Sequence, residues 1–148
     1  MSKFHLESKE ARLIILQRIE LATSFLKKIR KLFGRYIFSN YISKYFLDTR
    51  SIEKKYYELM KSELELLENH IVFENKRILS IGGGLGGLEI LIARKFDCSF
   101  SFIEKNYISK KVKYGWDQNN KEAYNDLKLL ENFLINNNMN KEKFKIFD

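Results

Sequence analysis

Apolar residues recur at a helical period through the first half of the chain. They return every three or four positions, which predicts amphipathic helices from about residue 7 to about residue 47. Gly34 is predicted to interrupt or end one of these helices. A further helix is predicted at residues 51–70, with Asp48 or Thr49 as its N-terminal cap.

After residue 75 the pattern changes to short apolar runs that alternate with helical ones. Strands are predicted at Arg77–Ile81, Ser99–Ile103 and Phe144–Phe147, and helices at residues 88–96 and at about 122–136. The order β-α-β-α-β indicates parallel strands joined by right-handed crossovers. We therefore expect an α/β fold, in which a helical segment (residues 1–74) precedes a parallel-sheet domain (residues 75–148).

The first predicted strand ends in a glycine-rich turn that opens into a helix, between Gly82 and Gly87. Glycine permits a positive φ and lets a ligand approach the backbone. A helix N-terminus adds free N–H groups and the positive end of a dipole. The second predicted strand ends at Glu104, 22 positions after Gly82. This is close to the spacing of about 20 at which such folds hold an acid against ribose hydroxyls. A nucleotide-type ligand is therefore predicted.

The glycines fit two nucleotide-binding templates. Gly82, Gly84 and Gly86 match the loop of S-adenosylmethionine-dependent methyltransferases, whereas Gly82, Gly84 and Gly87 match the dinucleotide fingerprint. Three features favour the methyltransferase: the long helical segment before the loop, the bulky residues of the helix after it, and the third strand that leads to Asp148. A flavin- or nicotinamide-dependent oxidoreductase is the alternative.

Residues 75–148 resemble the class I (Rossmann-like) S-adenosylmethionine-dependent methyltransferases, in particular a group that acts on small molecules. That group has a Tyr-Gly aromatic segment and a Tyr-Asn pair after its second strand, matched here by Tyr114-Gly115-Trp116 and Tyr124-Asn125. The chain departs from the family at Ser80, where many members have an acid. A complete domain of the family continues beyond the third strand, so we expect a truncated enzyme, a fragment or half of an assembly.

The resemblance implies a partial Rossmann-like domain with S-adenosylmethionine as its cofactor. The residues implied to bind the cofactor are Gly82, Gly84 and Gly86 along the methionine and ribose, Glu104 on the ribose, and Asp148 near the adenine. The expected function is methyl transfer to a small molecule, with this chain as the cofactor-binding half. No catalytic residue can be assigned, and Asp117 and Tyr124 are candidates for substrate contact.

The positive charge is concentrated in the N-terminal third. Residues 1–50 contain 11 Lys and Arg against 4 Asp and Glu, whereas the remainder contains 16 against 15. The basic amphipathic stretch at residues 26–35 is a candidate for peripheral contact with an anionic membrane, and no specific nucleic acid is expected. A non-catalytic remnant that binds a partner through these helices is the third hypothesis.

Some functions are disfavoured by what the chain lacks. Cys98 is the only cysteine, so we predict no intrachain disulfide and interpret Cys98 as a buried structural thiol. His5 and His70 have no metal-ligand spacing, and we predict no metal site. No transmembrane run of about 18 apolar residues and no signal-peptide core are present, which predicts a soluble cytoplasmic protein.

Overall fold

Four N-terminal helices form where the apolar residues recur at a helical period. In the computed structural model, which describes residues 3–107 and 125–148, they are α1 (Ser8–Gln17), α2 (Ser24–Ile37), α3 (Ser43–Tyr45) and α4 (Thr49–Glu68). A 3₁₀ turn at Ile19–Leu21 follows α1, and a π-type turn at Phe38–Ile42 follows α2.

Local sequence signals account for two boundaries among these helices. Gly34 has φ 76° and ψ 166°, so the predicted break in α2 is confirmed. Asp48 caps α4, because its carboxylate accepts the N–H of Ser51 at 3.1 Å. Such a cap satisfies one of the donors left free at a helix start.

Strands and helices then alternate as predicted. They are β1 (Arg77–Ile81), α5 (Gly87–Lys95), β2 (Ser99–Ile103), α6 (Leu127–Asn136), a 3₁₀ turn (Lys141–Lys143) and β3 (Phe144–Phe147). Helix α6 begins later than the expected residue 122, because Asn125 and Asp126 are not helical. The Asp126 side chain instead caps α6 by accepting the N–H groups of Lys128 and Leu129.

The three strands form one parallel sheet in the order β1-β2-β3. One face packs on the core, where Ser80 of β1 pairs with Phe102 of β2. The opposite face is exposed in the described part of the chain. Its exposed apolar side chains are Leu79, Ile81, Ile103 and Phe147. Parallel sheets are ordinarily covered on both faces.

One hydrophobic core joins the helical segment to the sheet. Phe4 contacts both parts of this core, with its ring centroid 5.5 Å from that of Tyr56 and 5.6 Å from that of Phe133. Cys98 is also buried, as predicted, and its thiol donates to the carbonyl of Phe73. Buried residues from both sides of residue 74 belong to this core.

Helix α4 covers the start of α5 and makes a buried polar contact with it. The hydroxyl of Tyr56, which is buried, accepts the backbone N–H of Gly87 at 3.2 Å. A Cβ on Gly87 would lie 2.6 Å from the Tyr56 ring, so only glycine permits this approach. The pKa of Tyr56 is raised by its burial and by the nearby carboxylate of Glu89.

We expect Tyr56→Phe to lower the free energy of unfolding by about 1–3 kcal/mol, because the buried N–H of Gly87 then has no acceptor. Urea unfolding followed by circular dichroism measures the change. Tyr45→Phe is the control, since Tyr45 is 79% exposed. Equal stability of the Tyr56 variant and the wild type would contradict the contact.

Candidate functional site

A cavity of about 620 Å³ opens beside the glycine turn, at the carboxyl ends of β1 and β2. The sheet side contributes Ile81 and Gly82–Gly84 after β1, and Ile103, Glu104 and Lys105 at the end of β2. The N-terminal helices contribute Gln17, Arg18, Glu20 and Tyr56, and Asn125 completes the lining before α6. Ligands of parallel α/β sheets bind at this end of the strands.

The glycine turn divides into two parts with different surroundings. Gly82 and Gly84 line the cavity and have φ of 66° and 71°, a region that favours glycine. Gly86 also has a positive φ, but it is buried and does not belong to the cavity wall. A Cβ on Gly86 would lie 3.0 Å from Phe102 and Leu134, so this glycine permits close packing of α5.

Glu104 holds the cavity side of the glycine turn. Its carboxylate accepts the backbone N–H of Gly84 at 2.9 Å and the side-chain amide of Asn125 at 2.7 Å. Asn125 also donates to the carbonyl of Gly84 at 3.3 Å. Glu104 is only 6% exposed, and this burial raises its pKa, while the Asn125, Gly84 and Gly83 hydrogen bonds act in the opposite direction.

The N-terminus of α5 is enclosed by protein rather than open to the cavity. The N–H of Gly87 donates to Tyr56, as described above. Glu89, in the first turn, is 7% exposed and accepts a hydrogen bond from the hydroxyl of Ser80. Burial raises the pKa of Glu89, with a smaller contribution from the charge of Glu104.

Positively and negatively charged side chains both line the cavity. Arg18 and Lys105 are cationic, whereas Glu20 and Glu104 are anionic. Arg18 is partly neutralised, because its guanidinium lies 3.2 Å from the carboxylate of Glu63. A ligand that carries both an amino and a carboxylate group matches this mixed lining.

The structure brings three of the five predicted cofactor residues to the cavity: Gly82, Gly84 and Glu104. Gly86 is buried in the core instead. Asp148 is exposed, and its carboxylate accepts the N–H of Asn106 at 3.1 Å without lining the cavity. The predicted residues 114–117 and Tyr124 lie outside the described residues.

Sequence reasoning missed the wall formed by Gln17, Arg18, Glu20 and Tyr56. These residues precede the glycine turn by many positions, and no local pattern connects them to it. It also gave Asn125 no role beyond the Tyr-Asn pair. The sequence signal that could have indicated this wall was Gln17, a polar residue at the end of an apolar helix.

Comparison with protein-family models, with curated proteins and with solved structures finds no match for this chain. No helix within residues 3–107 and 125–148 is both long and apolar enough to cross a membrane. Those residues also contain no group of three His, Cys, Asp or Glu side chains arranged to hold a metal ion. A functional assignment therefore depends on the geometry of the cavity.

We expect Glu89→Gln to be more stable than the wild type near pH 7. Because the pKa of Glu89 is raised in the folded chain, only the unfolded chain releases this proton as the pH rises above about 4.3. The free energy of unfolding of the wild type therefore decreases as the pH rises from about 4.3 to the raised pKa of Glu89. The Gln variant has no proton to release at this position and avoids that decrease.

Urea unfolding at a series of pH values measures the difference between the two chains. The advantage of Glu89→Gln shrinks toward about pH 4, where the glutamate is protonated in both states. Glu142→Gln, at an exposed position, is the control. A Glu89 variant that is less stable near pH 7 would show that the ionised carboxylate stabilises the fold.

Proposed function

We propose that this chain binds S-adenosylmethionine in the cavity beside the glycine turn and is the cofactor-binding part of a methyltransferase that acts on a small molecule. The observation that carries this proposal is that the first part of the glycine turn lines the cavity, whereas its last part is buried. Gly82 and Gly84 meet Glu104 at the cavity, whereas Gly86 and Gly87 are buried against the core and α4.

The position of Glu104 supports binding of a ribose. The Glu104 carboxylate has about four lone pairs, and hydrogen bonds from Gly84, Asn125 and Gly83 use about three of them. Some accepting capacity therefore remains for a hydroxyl of a ribose. The cavity volume also lies within the range of about 300–1,000 Å³ that is usual for small-molecule sites.

The closed N-terminus of α5 argues against a dinucleotide. In dinucleotide-binding folds the pyrophosphate lies on the N-terminus of the helix after the glycine turn. Here the N–H of Gly87 is already bonded to Tyr56, and the carboxyl group of Glu89 is buried in the same turn. S-adenosylmethionine has no phosphate, so a closed helix start does not oppose its binding.

The mixed charges of the cavity fit the amino-acid end of the cofactor. The methionine part carries an ammonium and a carboxylate beside the sulfonium. Glu20 suits the positive groups, and Arg18 and Lys105 suit the carboxylate. At Ser80, where many members of the resembled family have an acid, the hydroxyl donates to the carboxyl group of Glu89, which is buried behind the turn and does not line the cavity.

The protein contribution to methyl transfer is chiefly alignment. The cofactor supplies an already activated methyl group on its sulfonium. The glycine turn, Glu104 and Asn125 would hold the nucleoside in a fixed orientation, so that an acceptor can approach in line. A general base is needed where the acceptor is a hydroxyl, and we assign none.

The acceptor side of the enzyme is proposed to lie against the exposed sheet face. Leu79 and Ile81 of β1 and Ile103 of β2 are exposed on a parallel sheet, where a covered face is the rule. We propose that a further chain segment or a second subunit covers this face in the active enzyme.

Calorimetric titration of the purified chain tests the cofactor. We expect S-adenosylmethionine and S-adenosylhomocysteine to bind, and FAD and NAD not to bind. Gly82→Ala is expected to weaken binding by about tenfold or more, because Gly82 lines the cavity and has a positive φ that favours glycine.

Gly34→Ala is the matched control for that variant. Gly34 and Gly82 have φ of 76° and 66°, and neither has a heavy atom within 4 Å of an added Cβ. The two alanines therefore cause similar backbone strain, but only one lies at the cavity. Binding of FAD or NAD, equal weakening by both variants, or no binding by the folded chain would contradict the proposed function.

A further inference from the structure

We infer that residues 21–47, called here the basic segment, dock the protein on an anionic lipid surface. The segment contains α2, the following π-type turn and α3. It lies outside the proposed cofactor cavity, and its function does not depend on that cavity. Two independent observations carry the inference: exposed apolar side chains and an unbroken positive charge.

The exposed apolar side chains are concentrated in the basic segment. Of sixteen large apolar or aromatic side chains that are strongly exposed in the described part of the chain, seven belong to it. They are Phe25, Leu32, Phe33, Ile37, Tyr41, Tyr45 and Phe46. Exposed apolar side chains that are grouped in one segment point to an interaction site, whereas apolar residues exposed singly do not.

The geometry of α2 presents apolar and basic side chains to solvent together. Phe25, Lys28 and Leu32 are spaced three and four positions apart, so they form one exposed stripe. Leu32 is 77% exposed, whereas Leu26, on another face of the helix, is buried and holds α2 on the core. The helix is thereby fixed with its stripe pointing away from the protein.

The charge of the segment identifies the partner. Residues 21–47 contain six Lys and Arg and no Asp or Glu. A second copy docked symmetrically would bring these cations against one another, which disfavours a homodimer through this face. A nucleic acid duplex matches the charge but offers the exposed stripe of Phe25 and Leu32 no apolar environment. An anionic bilayer offers both phosphate headgroups and acyl chains.

The depth of contact follows from the helix lengths. No described helix can cross a membrane, so α2 would lie in the plane of the interface with its apolar stripe inserted among the headgroups. Interfacial Tyr side chains such as Tyr41 and Tyr45 suit this depth, because a ring can be buried while its hydroxyl stays hydrated.

Co-sedimentation of the full chain with vesicles tests the inference. We expect binding to phosphatidylcholine vesicles that contain phosphatidylserine and little binding to phosphatidylcholine alone. Phe25→Ser with Leu32→Ser is expected to weaken binding about tenfold or more, since it removes the inserted stripe and keeps the charge. Leu66→Ser with Val72→Ser is the control, because these side chains are similarly exposed elsewhere.

The charge is tested separately with Lys28→Glu and Lys31→Glu together, which we also expect to weaken binding about tenfold or more. Lys54→Glu with Lys128→Glu changes the net charge equally at exposed positions outside the segment, and we expect a smaller effect. Circular dichroism establishes that each variant is folded.

Three results would overturn the inference. One is that the folded wild type binds neither kind of vesicle. Another is that the serine variant binds anionic vesicles as well as the wild type does. The third is that a DNA duplex binds more tightly than the vesicles and is insensitive to the serine substitutions, since nucleic acid binding depends on the cations alone.

Discussion

The buried contact between Tyr56 and the N–H of Gly87 is the constraint on which the rest of the architecture depends. It fixes α4 over the first turn of α5, and thereby joins the N-terminal helices to the sheet through one core. Because a Cβ on Gly87 would meet the Tyr56 ring, glycine at this position is required by packing. In other proteins the N-terminus of the helix that follows such a turn can bind an anion, whereas the N-terminus of α5 is buried inside this protein.

Because the N-terminus of α5 is buried, its N–H groups do not form part of the surface that the cavity offers to a ligand. The first glycines of the turn and Glu104, which Asn125 and Gly84 hold in place, line the cavity instead, and in the proposed complex they would contact the ligand. The buried carboxyl group of Glu89 lies behind the turn, hydrogen-bonded to Ser80. A phosphate-free nucleoside with a charged amino-acid end suits such a surface better than a pyrophosphate does.

Local patterns predicted the strands, the glycine turn, the break at Gly34 and the cap at Asp48, because each depends on residues close together in the chain. They also singled out Glu104 as a ribose-binding residue, and this residue, which directly follows β2, lines the cavity. They did not predict that Gly86 is buried or that Arg18 lines the cavity. Those positions depend on how distant helices pack on the sheet, which periodicity does not encode.

The most direct measurement of the central claim is the ¹H-¹⁵N spectrum of the chain titrated with S-adenosylhomocysteine and, separately, with NAD. We predict that S-adenosylhomocysteine shifts the amide signals of Gly82, Gly83 and Gly84, which line the cavity, and leaves that of Gly87 nearly unchanged. NAD is predicted to shift none of them. Two results would contradict the proposed cofactor site: NAD shifts the Gly87 signal, or S-adenosylhomocysteine shifts none of the signals of Gly82, Gly83 and Gly84.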